Sequence, residues 1–300
     1  MHRDVLHILI VLSLLLLVTA CGLTNNPGTS TGSPGSSTSS TGTGTSSPVI
    51  TEFALPIQGR VPYEITAGPD GNLWFTELYN NKIGRISPTG TITEFPLPTA
   101  NSYPLGIAPG PDSNLWFIEN AHDKIGRIST TGTVSEFPIP TPNSAPFGIA
   151  LGSDGNLWFT EVVGNQIGRI STTGAITEFP IPTARSGPQD IALGLDGNLW
   201  FTEILVNKIG RISTTGAISE FPIPTAQSEP FGIAPDPDGN VWFTEIVGNK
   251  IGCISPTGTI SEFPIPTARS KPYGIALGPN KELWFTEELG NKIGRITVPK

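Results

Sequence analysis

Short runs of alternating apolar and polar residues cover most of the chain, and these runs recur at a fixed interval. The segment Asn72–Glu77, which reads Asn-Leu-Trp-Phe-Thr-Glu, returns almost unchanged five more times. The six Trp residues of the protein lie 42 residues apart, at 74, 116, 158, 200, 242 and 284. Alternating runs rich in Trp, Phe, Ile and Thr are typical of β-strands. The period indicates a repeat protein whose unit is one supersecondary element.

Each repeat contains four predicted strands. In the third repeat they cover residues 148–151, 156–161, 166–170 and 175–180. The pair Asp154-Gly155 between the first two strands is a strong hairpin signal, because both residues tolerate a positive φ. Four antiparallel strands in each of several consecutive repeats predict the blades of a β-propeller.

The two ends of the repeat region predict how the ring closes. The region opens with a lone fourth-strand signal, Ile50–Phe53, and its last repeat ends after a third strand at residues 292–296. The leading strand can therefore complete the last blade and remove its open edge. The predicted fold class is all-β. Residues 49–300 are expected to form a six-bladed β-propeller of four-stranded blades, closed by the N-terminal strand.

The first 48 residues differ from the repeats. Residues 1–20 combine Arg3 with an apolar run over residues 8–18, which predicts a secretory signal. The sequence Val-Thr-Ala-Cys that ends at Cys21 resembles the lipobox of bacterial lipoproteins, although a plain signal peptide is the alternative. Residues 21–48, mostly Ser, Thr and Gly, are expected to be a flexible tether. We therefore expect an extracytoplasmic domain, anchored to a bacterial membrane by lipid on Cys21.

Charge and cysteine content narrow the possible partners. The net charge of −8 argues against binding to nucleic acid or docking on an anionic bilayer. The two Cys residues are Cys21 and Cys253, so lipid on Cys21 leaves no disulfide. We expect a monomer stabilised by packing alone. Cys253 replaces an Arg of the other repeats and is interpreted as a neutral substitution.

Variable loops identify one face of the disc. The turns between the first and second strands, and between the third and fourth, hardly change from repeat to repeat. The loops after the second strand, such as residues 78–80 and 120–122, and the loops between repeats do vary. Strand direction places both variable sets on one face, which is the expected functional face.

One Glu recurs at the end of the second strand of every repeat. A residue present in all repeats serves blade construction, so this ring is interpreted as structural rather than as a metal site. Each carboxylate is expected to accept hydrogen bonds from backbone or from an Arg of its repeat, such as Arg169. The ring comprises Glu77, Glu119, Glu161, Glu203, Glu245 and Glu287.

The repeat motifs resemble a known family. The strings Pro-Phe-Gly-Ile-Ala, Asp-Gly-Asn-Leu-Trp-Phe-Thr-Glu, Asn-Lys-Ile-Gly-Arg-Ile-Ser and Ile-Ser-Glu-Phe-Pro-Ile-Pro-Thr closely resemble the repeat of the virginiamycin B lyase family. The resemblance covers residues 50–297. It implies a bacterial β-propeller related to a seven-bladed, magnesium-dependent enzyme that opens the ester ring of streptogramin B antibiotics by elimination.

The resemblance also assigns positions to the family's functional residues. The catalytic and substrate-contacting His residues follow the Pro that opens the first strand of the last two blades, where this chain has Phe231 and Tyr273. One magnesium-binding Glu precedes that Pro in the last blade, where this chain has Lys271, and a second falls near Glu287 or Glu288. Beyond the leader the chain has one His, His122, in a loop. No catalytic residue is therefore assigned.

The residues that follow that Pro are expected to line the mouth of the central channel. They are mostly aromatic or apolar, which suits an apolar or flat ligand. Beside them, Glu64 and Asp190 replace the Gly of four other repeats, and six blades would place these two acids on opposite sides. They are candidates to hold magnesium, calcium or an amine, or to act as a base, and ordinary solvated acids are the alternative. The candidate ligand-binding residues are Tyr63, Phe147, Gln189, Phe231 and Tyr273.

Three functions remain open at this point. The first is a tethered module that binds a small molecule, a cell-envelope ligand or a protein partner, and the missing His residues favour it. The second is a metal-dependent lyase that opens cyclic depsipeptides of the streptogramin B type, or lactone rings. The third is a purely structural surface protein.

Overall fold

The computed structural model describes residues 55, 61–278 and 281–296. Within this part of the chain, strands form six antiparallel sheets, one for each repeat, and these are the blades of a six-bladed β-propeller. The predicted fold class is therefore confirmed. Five sheets have four strands, and the sixth has three among the described residues.

The strands of each blade follow the chain from the inside of the ring outwards. Blade 1 contains β1 (Pro62–Ala67), β2 (Leu73–Glu77), β3 (Lys82–Ile86) and β4 (Ile92–Pro96); blade 2 contains β5 (Pro104–Pro109), β6 (Leu115–Glu119), β7 (Lys124–Ile128) and β8 (Val134–Pro138). Blade 3 contains β9 (Pro146–Leu151), β10 (Leu157–Glu161), β11 (Gln166–Ile170) and β12 (Ile176–Pro180); blade 4 contains β13 (Pro188–Leu193), β14 (Leu199–Glu203), β15 (Lys208–Ile212) and β16 (Ile218–Pro222). Blade 5 contains β17 (Pro230–Pro235), β18 (Val241–Glu245), β19 (Lys250–Ile254) and β20 (Ile260–Pro264); blade 6 contains β21 (Pro272–Leu277), β22 (Leu283–Glu287) and β23 (Lys292–Ile296). A 3-10 helix (Asn120–His122) lies in the loop after β6.

Both faces of the second strand are buried in blades 2 to 5, because each of these blades is packed between two others. The Trp face of one blade lies on the Phe face of the next: Trp158 and Ile167 of blade 3 pack with Leu199 and Phe201 of blade 4. These side chains are fully buried. A buried Trp removes roughly 200 Å² from water, which contributes about 5 kcal/mol of transfer free energy. The repeated Trp and Phe are core residues, as predicted.

Glycine in the third strand makes room for this core. A Cβ on Gly168 would overlap the ring of Phe159, which lies opposite it in the register. Only a residue without a side chain fits there. The motif Ile-Gly-Arg-Ile is therefore set by packing.

An Arg connects most blades to the next. The rings of Trp158 and Phe179 stack with centroids 5.4 Å apart, and the Arg169 guanidinium carbon lies 5.5 Å from each ring. Arg169 Nη1 also donates to the carbonyl of Thr214 in blade 4, at 3.2 Å. In blade 5 this position is Cys253, whose pKa is raised to about 12 by burial and by nearby negative charge. The high pKa disfavours the reactive thiolate.

The junction between blades 6 and 1 differs from the other junctions. Trp284 is 40% exposed and Ile293 is 65% exposed, whereas Trp158 and Ile167, their equivalents in blade 3, are 0% exposed. On blade 1, Ile65 is 58% exposed. The strand predicted to close blade 6 at residues 50–53 lies outside the described residues, so closure stays a prediction.

The signal sequence, Cys21 and the tether also lie outside the described residues. Within the described part of the chain, no helix is long and apolar enough to cross a membrane.

Candidate functional site

The inner strand of every blade begins with Pro, and the residue after that Pro lies at the central axis. We call the six residues at this position the channel mouth. Each inner strand has a register shift just beyond it: in blade 4, Pro188 pairs with Glu203 but Ile191 pairs with Phe201, so three steps on one strand match two on the other. The channel mouth comprises Tyr63, Leu105, Phe147, Gln189, Phe231 and Tyr273.

Aromatic side chains from four blades meet at the channel mouth. The ring centroids of Tyr63 and Phe147 are 6.2 Å apart, those of Phe147 and Phe231 are 5.7 Å apart, and those of Phe231 and Tyr273 are 4.9 Å apart. All three pairs are edge-to-face, an arrangement favoured by the quadrupoles of the rings. The structure thus brings together four of the five candidate ligand-binding residues in one aromatic surface.

Threonine side chains fix the backbone of the channel mouth. Thr160 Oγ1 accepts from the backbone N–H of Gly148 at 2.9 Å and donates to the carbonyl of Gln189 at 2.6 Å. In the same way, Thr202 Oγ1 donates to the backbone carbonyl of Phe231 at 2.7 Å. The two donations to Gln189 and Phe231 each join one blade to the next, so the aromatic surface is held in place by its scaffold. Sequence reasoning missed this role, although the repeated Thr of Trp-Phe-Thr-Glu is its signal.

Gln189 occupies the blade-4 position of the channel mouth and is buried, with 4% of its surface exposed. Its backbone carbonyl accepts a hydrogen bond from Thr160. Its side-chain amide is the one polar, uncharged side chain among the six residues of the channel mouth besides the two Tyr hydroxyls.

Both carboxylate oxygens of Asp190 accept hydrogen bonds from backbone N–H groups. Oδ1 accepts from the N–H of Ile191 at 2.9 Å, and Oδ2 accepts from the N–H of Ile233 in blade 5 at 3.0 Å. Burial raises the pKa of Asp190 to about 6, and the two N–H donors limit the rise. Asp190 therefore joins blades 4 and 5 and remains a negative charge near the axis above about pH 6.

Glu64 is the more available of the two acids. Its residue surface is exposed to solvent, and its carboxylate accepts from the N–H of Ile107 in blade 2. The surrounding protein desolvates the group and raises its pKa to about 8, the charge of Asp190 adds to the rise, and the bond from Ile107 opposes it.

The donor set does not fit magnesium or calcium. Among the described residues, no three His, Cys, Asp or Glu side chains are grouped so that they could hold a metal. Calcium takes six to eight oxygen ligands and magnesium about six in octahedral geometry. Two carboxylates, one of them already bound to two backbone donors, do not provide this set.

The recurring Glu of the second strand is buried, but the prediction that an Arg of the same repeat is its hydrogen-bond partner is wrong. The carboxyl group of Glu203 lies beside Ser186 and Glu220, and that of Glu161 lies beside Ser144 and Glu178. Arg169 lies beside Asp154 instead, at 3.8 Å. The strand register explains the error, because Arg169 is opposite Trp158 while the Glu is opposite the first residue of the third strand, as in the pair Glu203 and Lys208. Burial raises the pKa of Glu203 to about 8.

Two further acids lie near Tyr273, the residue that blade 6 contributes to the channel mouth. The pKa of Tyr273 is raised by burial and then by the charges of Glu288 and Glu229. Burial raises the pKa of Glu288, and the nearby Lys271 opposes that rise. The mouth therefore has more negative than positive groups around it.

His122 lies away from these residues, in the loop of blade 2. It is exposed, and its Nε2 is 3.0 Å from the carbonyl of Ala100. This contact is a local loop interaction and gives His122 no place at the channel mouth.

Together, the fold and the channel mouth define a β-propeller with a central aromatic site flanked by acids on one face. Comparison with known proteins identifies the family. The chain belongs to the virginiamycin B lyase family, whose model matches residues 21–141 and 107–300.

Solved structures of this family are similar to the chain over most of its length. A virginiamycin B lyase from Staphylococcus aureus is 48% identical, with a TM-score of 0.77 over 79% of this chain and 81% of that one. A catalytically inactive His-to-Ala variant of the S. aureus enzyme, with quinupristin, is 46% identical, with a TM-score of 0.80 over 82% of this chain and 84% of that one. A curated virginiamycin B lyase from Saccharopolyspora erythraea is 49% identical over 41 residues, which is 14% of either chain. That last match spans about one repeat.

Proposed function

We propose that this chain is a ligand-binding β-propeller that does not perform the ring opening of its family. Its ligand is a small molecule or cell-envelope compound with a flat or apolar body, which lies on the aromatic surface of the channel mouth. The observation that carries the proposal is the edge-to-face series of rings from Tyr63 to Tyr273, on a backbone fixed by hydrogen bonds between blades.

The composition of the mouth supports binding over catalysis. Phe231 and Tyr273 stand where the family resemblance places the catalytic His residues, and neither is a base near neutral pH. The acids present do not fit the magnesium that the family enzyme uses. The inactive His-to-Ala variant is described with quinupristin, which supports binding without that His.

One observation favours the alternative, a lyase acting on cyclic depsipeptides or lactones. Glu64 is open to solvent and has a pKa near 8, so it could exchange a proton near neutral pH. Glu64 is thus the residue that a remaining elimination activity would use.

We also propose that the domain works outside the cytoplasm, tethered by lipid on Cys21. The support is the signal and lipobox pattern of residues 1–21 and the Ser/Thr/Gly-rich segment that follows. Metabolic labelling with an alkyne fatty acid tests the anchor. Label is expected on the wild-type protein and absent from Cys21→Ser, and equal labelling of both would refute it.

Incubation of the full chain with quinupristin, followed by chromatography and mass spectrometry, tests the main proposal. Elimination leaves the mass unchanged, so retention time reports ring opening. We expect saturable binding by calorimetry, weakened in Phe231→Ser, and an unchanged retention time. A new peak of equal mass, lost in Glu64→Gln, would establish the lyase instead. Absence of binding would refute quinupristin as a ligand of the mouth.

A further inference from the structure

Three kinds of group converge at the channel mouth. Aromatic rings from blades 1, 3, 5 and 6 form its wall. Carboxyl groups of Glu64 and Asp190 lie beside this wall, close enough for the charge of Asp190 to raise the pKa of Glu64. Gln189, 4% exposed, places an amide at the blade-4 position of the same ring. A neutral apolar ligand would use the rings alone and would leave the acids and the amide without a function.

An organic cation uses all three kinds of group. Aromatic rings attract cations through their quadrupoles, and rings that surround an ammonium group do so most effectively. A carboxylate neutralises the charge, and an amide oxygen accepts from an N–H. Unlike a metal ion, an ammonium group with carbon substituents needs no complete shell of oxygen ligands.

We propose that the channel mouth binds an organic amine cation, with its charged group beside Glu64 and its carbon substituents on the rings of Tyr63, Phe147, Phe231 and Tyr273. Asp190 contributes negative charge while its oxygens remain bound to Ile191 and Ile233. The inference rests on the proposed binding function and names the class of ligand.

The proposal also fixes the direction of the pH dependence. A bound cation stabilises the ionised form of Glu64, so binding should release protons near neutral pH and strengthen between pH 6 and pH 8.5. The titratable or charged groups around the mouth are Glu64, Asp190, Tyr63, Tyr273, Glu229, Glu288 and Lys271. Among these, Lys271 is the sole cation, and its nearest acid here is Glu288.

Calorimetric titration of the full chain with choline and with 3,3-dimethylbutan-1-ol tests the charge directly, because the two molecules have the same shape and differ in charge. We expect choline to bind at least tenfold more tightly than the alcohol. Glu64→Gln should weaken choline binding at least tenfold and leave the alcohol unchanged. Glu64→Gly is the second variant, since Gly106 and Gly148 stand at this position in other blades. Asp238→Asn, an exposed acid in a turn of blade 5, is the control and should change neither titration.

The possible outcomes distinguish failure of the amine proposal from failure of the proposed binding function. Equal affinity for both molecules, or choline binding that Glu64→Gln and Glu64→Gly leave unchanged, overturns the amine proposal. If the alcohol binds and choline does not, the mouth is a binding site for neutral ligands, so the proposed function stands and the cation is refuted. If neither small molecule binds, the amine proposal is refuted, and the quinupristin experiment decides the proposed function separately.

Discussion

Replacing the buried acid of blade 4, Glu203→Gln, should make the protein more stable, by an amount that grows as pH rises from about 4.5 to about 8. Glu203 is 0% exposed, and its carboxyl group lies beside that of Glu220. Burial raises its pKa to about 8, the nearby Glu220 raises it further, and Lys208 opposes both. Gln has the same shape and carries no charge, so the variant removes the cost of ionising this group in the folded state.

The sign and size follow from the two pKa values. The folded pKa lies above the ordinary value of 4.5, so the folded protein holds this proton more tightly than the unfolded chain. Stability is therefore lost as pH rises from about 4.5 to about 8, and the loss is complete above that range. The shift corresponds to about 5 kcal/mol at most. Relaxation around the charge reduces this value, so we expect roughly 2–4 kcal/mol.

Urea unfolding at pH 5 and pH 9 measures this effect. At pH 5 Glu203→Gln should exceed the wild type by less than about 1 kcal/mol, because the folded acid is protonated and pH 5 lies only slightly above the unfolded pKa. At pH 9 the variant should be more stable by roughly 2–4 kcal/mol, or about 5–15 °C in Tm for a domain of this size. Asp238→Asn, which changes an exposed acid in a turn of blade 5, is the control and should not gain stability between the two pH values. A Glu203→Gln variant that is no more stable at pH 9 than at pH 5, relative to wild type, would refute the reasoning.

Three further predictions concern places where one blade departs from the others. In blade 3, Gln166 stands at the position where the other blades have Lys, so Gln166→Lys should raise stability at pH 8 by about 1–2 kcal/mol, measured by thermal unfolding with Gln166→Leu as the uncharged control. In blade 5, Cys253→Arg should restore the guanidinium beside the stacked rings and add about 1 kcal/mol, and a lower Tm would contradict this. If Ile50–Phe53 completes blade 6, Phe53→Ala and Trp284→Leu should couple in a double-mutant cycle by about 0.5–1.5 kcal/mol, whereas additive effects would argue against the closing strand.

The fold could be predicted because the sequence of each repeat contains the signals for its own strands. The Asp154-Gly155 turn and the apolar alternation around Trp158 carry enough local information to place four strands, and six copies multiply that signal. The exposed faces of Trp284 and Ile65 could not be predicted, because the sequence shows complementary faces but not how closely two terminal blades approach.

The family resemblance placed Tyr63, Phe147 and Phe231 at the mouth of the central channel, and the structure brings their rings into contact. The bonds that Asp190 accepts from backbone N–H groups could not be predicted from the sequence, since one donor belongs to the next blade, 43 positions away. The position of Glu203 opposite Lys208, rather than opposite an Arg, could have been predicted from the antiparallel register.

A crystal structure of the full chain soaked with quinupristin tests the central claim most directly. Ligand density over the rings of Tyr63, Phe147, Phe231 and Tyr273, with the ester ring intact, is the predicted result. A ligand bound away from these rings, or present in its ring-opened form, would contradict the account.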